Sequence, residues 1–404
     1  MLSISTKLAP LLALGFGLPR YAVAQSSIVS GSAPGFATGV TGGGSAEPVY
    51  PNTIEDLKSY LTSSEPQNIV ISGNFDFAGS EGTQTHTACN TYECTPENGG
   101  QAILNTLGAC SGVSSYEVEV DTAAYTGIEV KSDKTLVGDG TGAILNGKGL
   151  RFTNGVSNII IQNIAITNLN SQYVWGGDAI SMSDCSQIWI DHVTTSKTGR
   201  QHYSFGQDSD KYITISNSFI NGETPYSATC DNHTYWGFEM VGEGDTITLY
   251  RRFRKLLWSC GPLVLNYGLQ WLGNYVYMTS GRSPAVSGTT TLHAVNNVFS
   301  DNSGHLIEGG GMGLFEGNVF TDITTTVASG FSGELFNAKS TNLADCSGAL
   351  GRECVANEFD DATSFDYSDT GFFSNFAGLT VVDASPASDI LDAVTSSAGN
   401  TLAS

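Results

Sequence analysis

Six stretches of the chain repeat one pattern: apolar, often β-branched residues, a central Asn or other polar residue, more apolar residues, then a turn. They are Ile159-Ile160-Ile161-Gln162-Asn163-Ile164, Ile188-Trp189-Ile190-Asp191-His192-Val193, Ile213-Thr214-Ile215-Ser216-Asn217-Ser218-Phe219, Trp271-Leu272-Gly273-Asn274-Tyr275-Val276, Leu292-His293-Ala294-Val295-Asn296-Asn297-Val298-Phe299 and Leu314-Phe315-Glu316-Gly317-Asn318-Val319-Phe320. The polar positions 163, 192, 217, 274, 297 and 318 are read as equivalent, and all steps but one are 21 to 29 residues. Short strands repeated at that period predict coils stacked on coils, an all-β, single-stranded right-handed parallel β-helix. An Asn at each bend can bond its own backbone and the Asn of the next coil, which sets register. Long loops on such a fold form a groove along one face, and a long groove suits a polymer.

The exceptional step, Asn217 to Asn274, is 57 residues. Part of it reads as a real loop through Pro225 and Cys230. Residues 251–272, RRFRKLLWSCGPLVLNYGLQWL, read as foreign. They hold four of the chain's 17 basic residues, two of its five Trp and no acid. Joining Leu249 or Tyr250 to Gly273 restores a strand–turn–strand unit like its neighbours. The segment is expected to be a translated intron or another gene-model error, against the alternative of a genuine basic loop, and is set aside from fold reasoning.

Low charge, 48 Gly and abundant Ser, Thr and Asn fit a turn-rich solenoid. The formal charge is −22, so the chain should repel nucleic acid, anionic membrane and a fully ionised polyuronate. Residues 1–24 read as a secretory signal: Lys7, the apolar run Leu8 to Leu18, then Ala22-Val23-Ala24. No later stretch has 18 apolar residues, so the reading is a secreted, extracellular protein with residues 25–404 as one domain, expected to be a monomer. Secretion permits disulfides. Cys260 lies in the foreign segment, and Cys185 reads as a buried thiol. Cys89, Cys94, Cys110, Cys230, Cys346 and Cys354 remain, enough for three bridges. No Cys pair has zinc spacing. Asn232-His233-Thr234 is a glycosylation sequon at Asn232.

Thr53 to Leu61 reads as a capped amphipathic helix with Ile54, Leu57 and Leu61 on one face, able to cover the open first coil. Residues 80–126 read as a long Cys-containing loop. Coils run from Gly127 to about Ile323. The remainder is expected to pack back on the helix and end in a short helix from Ile390 to Val394.

Three clusters fall at coil edges: Tyr173-Val174-Trp175-Gly176-Gly177-Asp178, Gly199-Arg200-Gln201-His202 and Ser280-Gly281-Arg282-Ser283-Pro284. Adjacent coils lie about 4.8 Å apart, so residues far apart in sequence can converge. With Trp189-Ile190-Asp191-His192, Ser227-Ala228-Thr229-Cys230 and Tyr235-Trp236-Gly237, these clusters resemble, in order, the fungal pectin lyases of the pectate lyase superfamily. The resemblance runs from about residue 30 to 400, apart from residues 251–272.

It implies cleavage of methyl-esterified α-1,4-galacturonan by β-elimination, with Arg282, Arg200 and Asp178 catalytic. In that reaction the C5 proton is removed, positive charge stabilises the enolate-like oxygen, and the O4 bond breaks. The resemblance makes Arg282 the base, which is uncomfortable for a guanidinium. Crowding by Arg200 would favour its neutral form, and a mainly stabilising role stays open. Arg200 stands where related pectate lyases carry a calcium ligand. One carboxylate beside a fixed cation is a poor calcium site, so no metal or other cofactor is expected. Trp236, Tyr235 and Trp175 are expected to offer stacking faces, and His202 either binds sugar or packs. The resemblance also implies bridges Cys89–Cys110, Cys94–Cys230 and Cys346–Cys354. Two departures stand out: Tyr92 is the only aromatic of the 89–110 loop, and Ala285 replaces an expected Lys.

Taken singly, Asp178, Arg200 and Arg282 would read as turn or surface residues. Asp191 and His192 read as structural. A calcium-dependent pectate lyase would need carboxylates at Arg200. A polygalacturonase would need paired carboxylates, about 6.5–9.5 Å apart for inversion, and the sequence shows one promising Asp. A non-catalytic or splice-damaged β-helix that binds wall polysaccharide is the remaining alternative.

Overall fold

The computed structural model describes residues 28–250 and 273–403. The signal reading of 1–24 and the foreign segment 251–272 fall outside the described residues.

The described residues form a parallel β-helix in which one 23-stranded sheet winds over three faces, with a separate four-stranded sheet beside it. The first face carries the strand openings that matter below: β1 (Leu150–Gln162), β2 (Ile180–Asp191), β3 (Tyr203–Phe205), β4 (Phe238–Met240), β5 (Ala285–Val286) and the end of β6 (Val298–Gly309). β1 and β2 turn a corner and continue into the second face. Parallel strands joined by whole coils need right-handed crossovers, which fixes the hand of the winding.

Register holds the interior together. On the second face Ile69, Leu136, Ile161, Ile190, Ile215, Leu249, Ala294 and Phe315 pair in succession, all fully buried. Each buried Ile or Leu contributes roughly 1.5–3 kcal/mol before entropy. Because side chains alternate along a strand, a one-residue slip would turn this column to solvent. Phe299, Phe320 and Phe359 stack on the third face at 5.0 and 4.7 Å.

The bend between the second and third faces corrects the repeat alignment. The sequence reading equates Asn163, His192 and Asn217 with Asn274, Asn297 and Asn318. The structure shows two adjacent rows instead. Asn163, His192, Asn217, Asn296 and Gly317 take the left-handed turn conformation, with φ from 51° to 61°. Asn, His and Gly tolerate that region better than bulky residues. The next position is the ladder: Ser218, Asn274, Asn297, Asn318 and Asn357. Asn274 Nδ2 donates to Asn297 Oδ1 at 2.9 Å, Asn297 Nδ2 to Asn318 Oδ1 at 3.0 Å, and Asn318 Nδ2 to Asn357 Oδ1 at 3.0 Å. Each such bond contributes about 1 kcal/mol net and leaves a costly orphan if broken. In the earlier coils the ladder position is apolar, Ile164 and Val193, so the ladder is confined to later coils.

The helix α1 (Ile54–Thr62) begins on Thr53, whose hydroxyl accepts from the Asp56 amide at 3.1 Å, and buries Leu57 and Leu61 over the first coil. Residues 80–126 are more than a loop. Thr83–Cys89 pairs antiparallel with Ser115–Asp121 and with Ala102–Leu104. The alternation of Val118 and Val120 with Glu117 and Glu119 is a strand pattern, and Thr85 and Thr83 donate to Glu119 at 2.6 and 2.8 Å. Cys89–Cys110, Cys94–Cys230 and Cys346–Cys354 are bridged. The C-terminal remainder lies along the coils. Ala387, Ile390 and Val394 pack on Val298 and Val319, and the closing helix is Leu391–Thr395. Among the described residues no helix is long and apolar enough to cross a membrane.

Asp191, read as structural, is fully buried. It accepts from Ser216 Oγ, Asn217 Nδ2, Gln162 Nε2 and His192 Nδ1 at 2.6–2.8 Å. Burial alone would raise its carboxyl, yet His192 and these donors hold it below its usual range. Asp210 is the opposite case. One oxygen meets Cys185 N and Sγ at 3.2 and 3.1 Å, and the other is buried without a partner. Burial, with the nearby Asp245 charge, pushes it up to about 7.

Two outcomes follow from this architecture. In the preceding coil a single residue, Asn217, separates Ser216 from Ser218, the partners of Tyr250 and Asn274. One residue, Gly273, therefore suffices between Tyr250 and Asn274. Deleting 251–272 is expected to keep the β-sheet circular dichroism and raise soluble yield; loss of folding would show that the segment belongs. For Asp210, the folded protein holds a proton that the unfolded chain releases from about pH 4 upward. Stability should thus fall by about 4 kcal/mol between pH 4 and pH 7 and level off above. Asp210→Asn should flatten that slope in urea unfolding, and an unchanged slope would exclude Asp210 as its source.

Candidate active site

The groove lies over the first face. Its floor is a single register row: Glu129, Arg151, Ser181, Ser204, Glu239, Ala285 and Glu308 occupy successive rungs. Their strand neighbours Leu150, Phe152, Ile180, Met182, Tyr203, Phe205, Phe238 and Met240 all point inward. Alternation therefore turns the whole row outward.

Asp178 and Arg200 sit at the entries to β2 and β3. The Asp178 carboxylate takes Arg200 Nε at 3.1 Å and Nη2 at 2.9 Å, a bidentate pair, and Gln201 N at 2.9 Å. Burial opposes the Arg200 charge, but Asp178 and Glu239 more than offset it and raise its pKa. The Trp175 ring lies 3.9 Å from the Arg200 guanidinium carbon, close enough for a cation–π contact. Tyr125 and Tyr173 pack with Trp175 against the 80–126 sheet, which forms one wall. Arg282 enters β5 with φ +42°, in the sparsely populated left-handed region. Its Nη1 lies 2.8 Å from Glu239 and its Nε 2.9 Å from Glu308. Glu239 also accepts from Gln201 Nε2 at 2.7 Å and lies 4.0 Å from Arg200 Nη1. Glu308 accepts from Tyr235 OH at 2.8 Å and faces His305 Nε2 at 2.5 Å. Burial pushes Glu308 up, but His305, Tyr235 and Arg282 together hold it below its usual range.

The structure thus brings Asp178, Arg200 and Arg282 together, and adds what the sequence reading missed. Glu239 and Glu308 alternate with the two arginines, so the site holds three acids rather than one. Arg282 is flanked by Glu239 and Glu308 rather than crowded by Arg200 alone, as the sequence reading had it. A floor-facing Glu between Phe238 and Met240 carries a strand signal, but the loop before it hides its register. Gln101 was also missed. It is buried, donates to Ser171 O and Gly199 O, and accepts from Trp236 Nε1 at 2.8 Å, tying the cover sheet to the coils.

Not every expected sugar contact faces the groove. His202 is 1% exposed, with Nδ1 2.8 Å from Thr195 Oγ1, and burial lowers its pKa to about 3. It is a packed, neutral side chain. Trp236 is 8% exposed, its ring edge-on to Tyr235 and 5.2 Å from Arg282. It supports Arg282 rather than presenting an open face. Tyr235 is half-buried, and its hydroxyl is held by Glu308. Trp175 remains partly open. Tyr92 lies near enough for the Arg282 charge to act on its phenol, though burial dominates and raises it. Asn232 is exposed on the same loop as Tyr235. Among the described residues no three His, Cys, Asp or Glu side chains converge as metal ligands.

Residues 98–228 match the pectate lyase family. The chain is 65% identical to the probable pectin lyase E of Aspergillus niger, over 94% of its own length and 97% of that relative. It is 47% identical to pectin lyase A of Emericella nidulans, over 93% and 94%. The chain belongs to the fungal pectin lyases. Solved structures share the fold. A pectate lyase of Bacillus sp. N165 in complex with trigalacturonate gives a TM-score of 0.54 at 16% identity, covering 91% of this chain and 98% of that one. A pectate lyase bound to a hexasaccharide gives 0.55 at 16%, covering 92% and 97%.

Removing one member of a largely buried ion pair strands the other. Asp178→Ala is expected to destabilise the fold by roughly 3 kcal/mol in urea unfolding, with Asp178→Asn milder. A change under about 0.5 kcal/mol would show that Glu239 alone satisfies Arg200.

Proposed function

We propose that this chain is a secreted, endo-acting pectin lyase that cleaves methyl-esterified α-1,4-galacturonan by β-elimination without calcium. The observation that carries the reading is the Asp178–Arg200 pair beside Arg282, in a groove of a chain 65% identical to a probable pectin lyase. Both Asp178 oxygens are engaged by one guanidinium, so the carboxylate has little left for a cation that takes six to eight oxygens. Arg200 instead stands ready for an ester carbonyl.

Elimination asks for charge stabilisation where the uronate carboxyl becomes enolate-like. Arg282 supplies it from the groove floor, with its guanidinium oriented by Glu239 and Glu308. The C5 proton passes to a base as the C4–C5 double bond forms and O4 leaves; Arg282, held by Glu239 and Glu308, is the residue this reading assigns to that proton transfer or to stabilising the enolate-like oxygen beside it. The three acids are each tied to an arginine, and Glu308 is held below its usual range. A glycosidase acid needs a raised pKa, so hydrolysis is not favoured. The acidic chain, at −22, suits a neutral esterified polymer. The apolar run of 1–24, the disulfides and the sequon at Asn232 support secretion and glycosylation, and one coil stack suffices as a monomer.

The test is the ultraviolet absorbance of unsaturated uronate released from highly methylated pectin in excess EDTA. The rise should persist under chelation and fall about 10²–10³-fold in Arg282→Ala. Loss of the rise with EDTA would favour a calcium-dependent lyase, and folded protein without any rise would favour a binding module.

A further inference from the structure

The floor row carries a charge gradient along the groove. At one end Arg151 is exposed and has no ion-pair partner among the described residues. The exposed Glu129 is its neighbour on the preceding rung. Neutral Ser181 and Ser204 follow, under a cavity of about 360 Å³ that Arg151, Trp175, Asp178 and Arg200 also line. Asp178 and Arg200 pair with each other there, so Arg151, with only the exposed Glu129 on the adjacent rung, is the cation that no carboxylate holds in an ion pair among the described residues. At the other end Glu239 and Glu308 face outward around Arg282, with the small neutral Ala285 between them in the row. Two carboxylates are held there by one guanidinium and the His305 ring, 2.5 Å from Glu308, so that end is the acidic one. Glu239 is three rungs from Arg151, roughly 14 Å at about 4.8 Å per rung.

A polymer lying along this floor presents one uronate unit after another to different charges. We propose that the groove reads the pattern of esterification: it takes a free carboxylate at Arg151 and requires methyl esters beside Glu239 and Glu308. The inference rests on the reading of the groove as a pectin lyase cleft, and it sharpens the substrate from esterified pectin to partially esterified pectin of a defined polarity. An ionised uronate beside Glu239 would meet like charge from two carboxylates that share one guanidinium in a partly desolvated groove. At Arg151 the same group gains a charge-assisted hydrogen bond. The two ends therefore discriminate in opposite senses.

The experiment compares the purified protein with Arg151→Gln and Glu239→Gln on fully methylated and on partially methylated pectin. Mass spectrometry locates free acids relative to the new unsaturated end and the new reducing end. The wild type should place free acids within a few units of one new end and only esters at the other. Arg151→Gln should lower the rate ratio of partially to fully methylated substrate by about tenfold and erase the asymmetry. Glu239→Gln should raise that ratio and admit free acids at the esterified end. Symmetric product ends, or ratios unchanged in both variants, would overturn the proposal. Should the wild type release no unsaturated product from any pectin, the lyase reading fails on its own. Calorimetric binding of fully and partially methylated oligogalacturonates to the same three proteins then decides the charge rule: opposite shifts in the two variants uphold it, and equal affinities overturn it.

Discussion

The register of coil on coil is the constraint on which everything else depends. Parallel strands about 4.8 Å apart place equivalent residues one above another. Inside, this gives the column from Ile69 to Phe315, in which every member is covered by the next. At the corner it gives the Asn ladder. Outside, the same repetition gives the row from Glu129 to Glu308. A residue on that row has its nearest neighbours set by the fold, not by sequence proximity. Glu239 and Glu308 are 69 positions apart, yet both bind Arg282.

Stacking has an electrostatic consequence. Like charges on adjacent rungs repel, so the row survives only if opposite charges or neutral side chains intervene. Over the groove the chain uses alternation: Asp178, Arg200, Glu239, Arg282 and Glu308 follow one another with alternating sign. The pairs are partly buried, and the close contacts of Asp178 with Arg200 and of Arg282 with Glu239 and Glu308, at 2.8–2.9 Å, limit the desolvation cost. The two guanidiniums are therefore held in fixed orientations by the chain's own carboxylates. Buried carboxylates elsewhere follow the same rule. Glu316 accepts from Arg352, His293 and the Val355 amide, and its carboxyl stays below its usual range although burial pushes it upward. Asp210 lacks that full set of donors, and its carboxyl rises.

Much of this was legible in the sequence because repetition is local. The period of the strands, the cap at Thr53 and the entry motifs around Asp178, Arg200 and Arg282 each lie within a few residues. Register was less legible. Asn163 and Asn274 look alike in a one-dimensional pattern, but only pairing partners show that one turns the chain and the other bonds along the ladder. Glu239 and Glu308 escaped for the same reason, since the loops between coils vary in length. The cover strands 83–89 and 115–121 were read as loop because they sit outside the coil period, although their alternation was visible. His202 was ambiguous because its strand phase depends on Gly199 and the turn before it.

Register also fixes the coil on either side of residues 251–272. The junction between Tyr250 and Gly273 falls at the corner between the second and third faces. Arg282 lies after the third-face strand Tyr275–Thr279, at the entry to the first face. Between the two, Asn274 keeps its place in the ladder and Tyr275 pairs with both Phe219 and Val298. Beside the junction, Tyr250 packs on Val295 and Val382. The coil is thus fixed on both sides of the gap by partners in neighbouring coils. Strain entering at that corner would have to break the ladder and the Phe219–Tyr275 stack before it could move Arg282.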